Sequence, residues 1–198
     1  AVYHHFSSKE EIFFAAMDRV MAPGVERLRK IRDAKGMTGC EKIQAMFQNG
    51  ARGGDSAFFS QANPELDPMK NPRMLATEYR DLFDISAHEL MLPAIEQGMR
   101  DGSIQTEYPR ELAETIALLN NLWCVPAFFP ARDEEEQRRR VAFMNDFLSA
   151  MGLEVALDPQ VSLETWRHRC GEPMQESVQA SAQADATRDA RAGERTQG

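Results

Sequence analysis

Two places in the sequence carry residues of the kind that bind metal ions. His4 and His5 are adjacent, and an acidic run extends from Asp133 to Glu136. Neighbouring residues on a helix point about a hundred degrees apart, and no cysteine or third histidine lies near the histidine pair. The acidic run could form a magnesium-binding carboxylate cluster, but each glutamate is followed four residues later by an arginine. That spacing favours ion pairs at a solvated helix start, so we predict no metal site.

Patterns typical of catalysis are missing from the sequence. It contains no Gly-x-Ser-x-Gly nucleophile elbow, no phosphate-binding glycine-rich loop and no HExxH. Cys40, Cys124 and Cys170 are too far apart in sequence for a CxxC redox or zinc pair. We therefore predict that the chain is not an enzyme and carries no cofactor.

The overall charge and hydropathy restrict the partners. The net charge is -8, and phosphate neutralisation requires clustered lysine and arginine, so any contact with DNA must be local. No stretch approaches the roughly 18 uninterrupted apolar residues of a membrane span. The first residues lack the basic flank and apolar run of a secretion signal, and the cysteines are odd in number. The sequence predicts a cytoplasmic protein without a membrane partner.

Apolar residues recur at helical rather than alternating spacing in nearly every segment, so we predict an all-α fold. Ser8 with Glu11, and Thr38 with Glu41, have the spacing of capping boxes that begin helices. The predicted helices cover residues 8–34, 38–53, 73–100, 109–126 and 133–151, with a weak one over 163–169.

Three breaks in these helices are expected. Pro93 should kink the long helix over residues 73–100, which then stops at Asp101-Gly102. Gly152 should cap the helix over residues 133–151. The segment from Gly171 to Gly198 has almost nothing to bury and is predicted to be disordered.

One segment resembles a known family. Residues Val2 to Phe13 read Val-Tyr-His-His-Phe-Ser-Ser-Lys-Glu-Glu-Ile-Phe. This resembles the segment that ends the recognition helix and begins the fourth helix of TetR/AcrR-family transcription regulators, typically Leu-Tyr-x-His-Phe-x-x-Lys-x-x-Leu-Phe. The resemblance lies within the first tenth of the chain, and the order of the remaining predicted helices agrees with that family in outline.

The resemblance implies a division of the chain and a set of DNA contacts. Residues 1–17 would be the remnant of a DNA-binding head, residues 18–152 a TetR-like ligand-binding and dimerisation domain, and residues 153–198 a largely disordered extension. Tyr3, His4 and Lys9 match positions that lie against DNA phosphates in the family. About forty residues that would complete a helix-turn-helix do not precede Tyr3, so we expect the chain as given to bind operator DNA weakly or not at all.

The resemblance also implies a small-molecule effector. In the family, an effector enters the helical body, shifts the fourth helix and changes the spacing of two heads in a dimer. An apolar or aromatic effector would be held by aromatic and methionine side chains, with polar residues that interrupt apolar helices to orient it. Plain core packing is the alternative for each candidate residue. The candidates are Met46, Phe47, Phe58, Phe59, Tyr79, Phe83, His88, Asn120 and Trp123.

The last two strong helices, over residues 109–126 and 133–151, are the candidates for a homodimer surface built as a four-helix bundle. Their apolar residues would form it: Leu112, Ile116, Leu119, Val141, Met144, Phe147, Leu148 and Met151. The function predicted from the resemblance is that of a ligand-responsive transcription regulator, most often a repressor in this family. An all-α small-molecule-binding protein or enzyme with no role at DNA is the alternative.

Overall fold

The computed structural model describes residues 9–52, 71–125 and 128–170, and these parts of the chain are helices and short connections without a strand. The predicted all-α class is thereby confirmed. We label two segments with the wider π-helical winding π1 and π2. The helices are α1 Lys9–Arg32, α2 Gly39–Arg52, α3 Pro72–Asp81, π1 Leu82–Met91, α4 Leu92–Asp101, α5 Pro109–Leu118, π2 Leu119–Trp123, α6 Glu134–Ala150 and α7 Pro159–Cys170.

The start of α2 confirms the predicted capping box. The Thr38 backbone N–H donates to the Glu41 carboxylate at 2.7 Å, and the Glu41 N–H donates to the Thr38 hydroxyl at 3.2 Å. These two bonds satisfy amides that the first helical turn would otherwise leave without partners. The other predicted box begins at Ser8, which lies outside the described residues.

The long central helix changes its winding ahead of Pro93, the position where a kink was predicted. It runs as α3, π1 and α4 in succession, and Pro93 stands in the first turn of α4. Because proline lacks an N–H, the carbonyl of Glu89 loses the donor that an α-helix would supply four residues later. That carbonyl instead accepts a hydrogen bond from the Arg32 guanidinium at 3.3 Å. The helix then ends at Gly102, whose φ of 80° is the left-handed conformation expected of a glycine stop.

The acidic start of α6 also behaves as predicted. Asp133 caps the helix by accepting from the Glu136 N–H at 2.7 Å. Two of the expected pairs four residues apart form, Glu134 with Arg138 at 3.3 Å and Glu136 with Arg140 at 2.8 Å. Both are ion pairs within one helix, in keeping with the predicted helix start.

The main core lies where α2, π1, α4, α5 and α6 meet. Its fully buried side chains include Ile43, Ile95 and Ile116. The helices α2 and α4 approach so closely that a Cβ atom at Gly39 would overlap the backbone of Ala94 and Gly98. Only glycine fits at that position, since any side chain there would push the two helices apart.

The C-terminal boundary at residue 152 needs correction. The chain continues as α7, which packs against α6 and α2, and the connection before it contributes to the main core. Leu153 and Leu163 are fully buried, and the Trp166 indole N–H donates to the Ala131 carbonyl at 3.1 Å. Residues 153–170 are therefore part of the folded body, because they cover apolar surface that α2 and α6 leave open. The tail from residue 171 onward lies outside the described residues.

Candidate functional site

A cavity of about 320 Å³ lies between α1 and the central helix. One wall is the stretch of α1 from Asp18 to Arg29, where charged and apolar side chains line the space. The residues of this wall are Asp18, Met21, Ala22, Val25 and Arg29.

The opposite wall is built at the two places where the helical winding changes. α3 ends there and π1 begins, and π2 lies beside them. Wider π winding is uncommon and is found frequently at functional sites, because it redirects side chains that a regular helix would space evenly. The described residues of this wall are Thr77, Glu78, Asp81, Leu82, Ile85, Ser86, Asn121 and Leu122.

Glu78 is the least satisfied charged group of the cavity. Its carboxylate has no hydrogen-bond or ion-pair partner among the described residues. Burial raises the pKa of Glu78, and the negative charge of Asp81 raises it further. A carboxyl group with a raised pKa in a cavity is a feature of binding and catalytic sites.

Arg29 supplies the positive charge of the cavity, but it is already neutralised. Its guanidinium donates two bonds to the Glu89 carboxylate, at 2.6 Å from Nε and 3.1 Å from Nη2. Arg32 donates to the same carboxylate at 3.1 Å. Hydrogen bonds from Arg29, with the charges of both arginines, hold the pKa of Glu89 below its usual value. This cluster ties the last turns of α1 to π1.

No protein-family model, curated protein or solved structure matches the chain. The geometry of the cavity is then the main basis for a functional interpretation. Its volume is at the lower end for small-molecule sites, and its lining combines apolar side chains with a few convergent polar ones. Among the described residues, no group of three His, Cys, Asp or Glu is arranged to hold a metal ion.

Three of the predicted pocket residues lie together but beside the cavity. Tyr79 stacks on Phe83 with ring centroids 5.0 Å apart, and Phe83 lies 6.3 Å from His88. Tyr79 is 55% exposed. The His88 Nε2 is bonded to the Glu114 carboxylate at 2.8 Å, which ties π1 to α5. These residues form an outer aromatic row, and none of them lines the cavity.

The other predicted pocket residues are dispersed. Met46 and Phe47 are buried in the main core, so the alternative of plain core packing applies to them. Asn120 and Trp123 are half-buried in π2 and do not line the cavity, although the neighbouring Asn121 does. Phe58 and Phe59 lie outside the described residues. The predicted set therefore identifies the right helices more often than the right faces.

A pattern in the sequence could have pointed to the cavity. Leu75, Leu82 and Ile85 lie along one helical stripe, and Glu78 interrupts it. A charged residue within an apolar stripe is costly to bury unless it has a partner or a function. His88 and Asn120 were predicted pocket residues because they interrupt apolar helices, and the same reasoning applied to glutamate would have selected Glu78.

The predicted dimer residues face inward, which corrects their assignment to a surface. Five of them are at most 2% exposed within the single chain: Leu112, Ile116, Val141, Met144 and Leu148. Leu119, Phe147 and Met151 are partly buried against the main core. The heptad-like spacing of these residues reflects packing within one chain, because the helices of one subunit already cover that stripe.

A different apolar surface lies on the outer side of α6. Phe143 and Phe129 are 54% and 52% exposed. Trp123 packs edge-on against Phe143 at 5.6 Å, and the buried Arg140 guanidinium lies over the Trp123 and Phe129 rings. Arg140 also donates to the backbone carbonyls of Trp123 and Phe129, and these hydrogen bonds fix the positions of the two aromatic residues.

The residues predicted to contact DNA lie outside the described part of the chain or at its first residue. Tyr3 and His4 lie outside the described residues, as does the His4-His5 pair as a whole. Lys9 is the first residue of α1, and its side chain lies outside the description. The domain boundary placed at residue 17 falls within α1, which runs unbroken to Arg32. In the described part of the chain, no helix has the length and apolar character needed to cross a membrane.

Proposed function

We propose that this chain is the sensor body of a TetR-type transcription regulator, in which a small molecule bound beside α1 controls DNA binding by a homodimer. The observation that carries the proposal is that α1 forms a complete wall of the cavity. The same helix begins directly after the segment that resembles the end of a recognition helix. A ligand in the cavity would thus touch the helix that leads to the DNA-binding head.

One end of α1 is anchored and another part borders the cavity, as expected of a helix that acts as a lever. Its last turns are anchored to π1 through Arg29, Arg32 and Glu89. The part from Asp18 to Val25 borders the cavity. A ligand that fits one tilt of α1 better than another shifts the population of the two tilts, and it can do so only by its difference in affinity. Two heads must meet successive major grooves about 34 to 36 Å apart, so a small tilt is enough to change DNA binding.

The proposed homodimer would use the outer side of α6. The predicted interface residues are taken up by the core of the single chain, whereas Phe143 and Phe129 leave large aromatic surface exposed. Aromatic residues are enriched at protein interfaces. A second copy related by two-fold symmetry would place the same surface on both sides of the contact.

The regulator proposal is tested by finding a ligand and measuring its effect on hydrogen exchange and DNA binding. A panel of small apolar, aromatic and charged molecules is screened against the chain by thermal shift, since a molecule that binds the folded state raises Tm. Hydrogen exchange is then measured with and without a molecule that binds. We expect altered exchange in α1, including turns before Asp18, and release of the full natural gene product from the promoter beside its gene in a gel-shift titration. A ligand that binds in the cavity and changes neither α1 exchange nor DNA binding would contradict the proposal.

The same cavity also supports the alternative of a small-molecule-binding protein or enzyme without a role at DNA. Glu78 favours this alternative, because a carboxyl group with a raised pKa can act as a general acid or base. Incubating the protein with each bound molecule and analysing the products distinguishes the two. Recovery of unchanged ligand favours a sensor, and turnover that Glu78→Gln abolishes favours an enzyme.

A further inference from the structure

The ligand class can be inferred from the charges that line the cavity. Three carboxylates border it: Asp18 from α1, and Glu78 and Asp81 from α3. Among the described lining residues, Arg29 is the single cation; it pairs with Glu89 through two hydrogen bonds and lies 3.8 Å from Glu26 as well. The described lining thus carries more negative than positive charge, because Arg29 is paired with carboxylates that do not line the cavity.

The three carboxylates differ in their exposure and in whether a cation already pairs with them. Asp81 is paired with the exposed Arg80 at 3.1 Å, a contact that water weakens. Asp18 is exposed at the rim. Glu78 is half-buried, and its carboxylate has no partner among the described residues. Burial disfavours the charged form of a carboxylate that lacks a partner, so a bound cation would stabilise the ionised group.

Apolar side chains complete the lining. Met21 and Val25 extend from α1, and Leu82, Ile85 and Leu122 face them from the two π segments. Such walls favour a ligand with an apolar body and disfavour a hydrated inorganic ion.

We propose that the cavity binds an organic cation, a small amine or quaternary ammonium compound with an apolar body, whose charge lies against Glu78. Asp81 and Asp18 add to the negative potential at the entrance, and the methionine and branched side chains contact the hydrocarbon part. The assignment rests on the proposed function, since it names the effector class for the same site. It differs from the apolar or aromatic effector that the sequence predicts in requiring a positive charge.

A pair of matched probes tests the charge requirement. Benzyltrimethylammonium and neopentylbenzene have the same shape, and only the first is charged. Binding of each to the whole chain is measured by calorimetry and thermal shift under identical co-solvent. We expect the cation to bind at least about tenfold more tightly than the neutral probe. Equal affinities, or no binding of the cation at millimolar concentration, would overturn the proposal.

Variants at matched positions locate the charge. Glu78→Gln should reduce affinity for the cation by about tenfold or more and leave that for the neutral probe unchanged. Asp81→Asn should have a smaller effect of the same kind. Glu96→Gln makes the same chemical change at an exposed site on α4 outside the cavity and should alter neither affinity. Circular dichroism confirms that each variant is folded, and loss of cation binding in Glu96→Gln to the same extent as in Glu78→Gln would contradict the assignment.

The results separate this inference from the proposed function. Cation binding that depends on Glu78 but leaves α1 exchange and DNA binding unchanged supports the ligand class and contradicts the regulator. A neutral ligand that releases DNA supports the regulator and contradicts the ligand class.

Discussion

The main core and the cavity end of the molecule are built on opposite principles. In the main core, apolar side chains from five helices are buried almost completely, and two helices touch through Gly39 and Gly98. The cavity end is the region around α1, α3 and the π segments. In the described part of that region, Leu82 and Ala87 form a small buried cluster with Ala117 of α5, and charged groups face an open space.

The main core has the packing of a stable frame, and the cavity end has the open space that a binding site needs. Close-packed regions resist changes of shape, because every displaced atom loses contacts. A region with few buried contacts opens at lower cost and is where ligand-dependent motion is expected. In the proposed regulator, the main core would be the fixed part against which α1 shifts.

The largest expected effect comes from removing a side chain of the main core. Leu148→Ala should destabilise the fold by about 3 to 4 kcal/mol, because Leu148 is fully buried and its removal leaves a cavity. This corresponds to a decrease in Tm of roughly 10 °C in thermal unfolding. Leu82→Ala at the cavity end should cost about 2 kcal/mol, because Leu82 already borders an open space.

Protein concentration supplies the control for this experiment. Since Leu148 is buried within the single chain, the loss in Tm should not depend on protein concentration. A loss that shrinks at high concentration would place Leu148 at a subunit contact after all. A greater loss for Leu82→Ala than for Leu148→Ala would contradict the contrast between the two regions.

The sequence is informative about the main core and much less so about the cavity. Capping residues act within one turn, so Thr38 with Glu41 and the Asp133 cap could be read directly from their spacing. Helical periodicity identifies which face of a helix is buried, but it does not say whether the covering surface belongs to the same chain. Leu148 and its neighbours were therefore assigned to a partner.

The cavity depends on features that periodicity does not record. The π segments line the cavity, and nothing in the spacing of the apolar residues predicts that the helical winding widens there. Tyr79 and Phe83 were chosen for the pocket because they are aromatic, and they lie beside it. The pairing of Arg29 with Glu89 joins residues sixty positions apart and has no local signal.

An intermediate effect is expected from Asp101, whose carboxylate joins two helices of the main core. Asp101 accepts hydrogen bonds from the Gly39 N–H at 2.9 Å and the Ser103 N–H at 3.0 Å, and so joins the end of α4 to the start of α2. The Ser103 side chain and the Gly39 amide lower the pKa of Asp101 to about 2. A lowered folded-state pKa gives stability that is present above the ordinary value of 3.8 and is lost as the pH falls towards 2.

Asp101→Asn should accordingly lower Tm at neutral pH by less than Leu148→Ala does. Its difference from the natural chain should stay constant above about pH 4 and shrink between pH 4 and 2, where the aspartate itself becomes protonated. Thermal unfolding by circular dichroism across this range measures the difference. A gap that persists unchanged at pH 2 would show that Asp101 acts through its shape and not through its charge.

The smallest effect is expected at Glu78, and its sign is opposite. Burial and the Asp81 charge raise the pKa of Glu78, so the folded state holds its proton more strongly than the unfolded state does. Stability therefore falls as the pH rises above the ordinary value of 4.5, and the penalty persists at neutral pH. Glu78→Gln removes that penalty and should raise Tm at pH 7, by less than Asp101→Asn lowers it. The gain should vanish below about pH 4.5, whereas Glu96→Gln should change Tm at neither pH. A variant that is more stable and yet binds the cation less tightly would show that Glu78 is retained for binding at the expense of stability. That relation is expected of a binding site placed away from the main core.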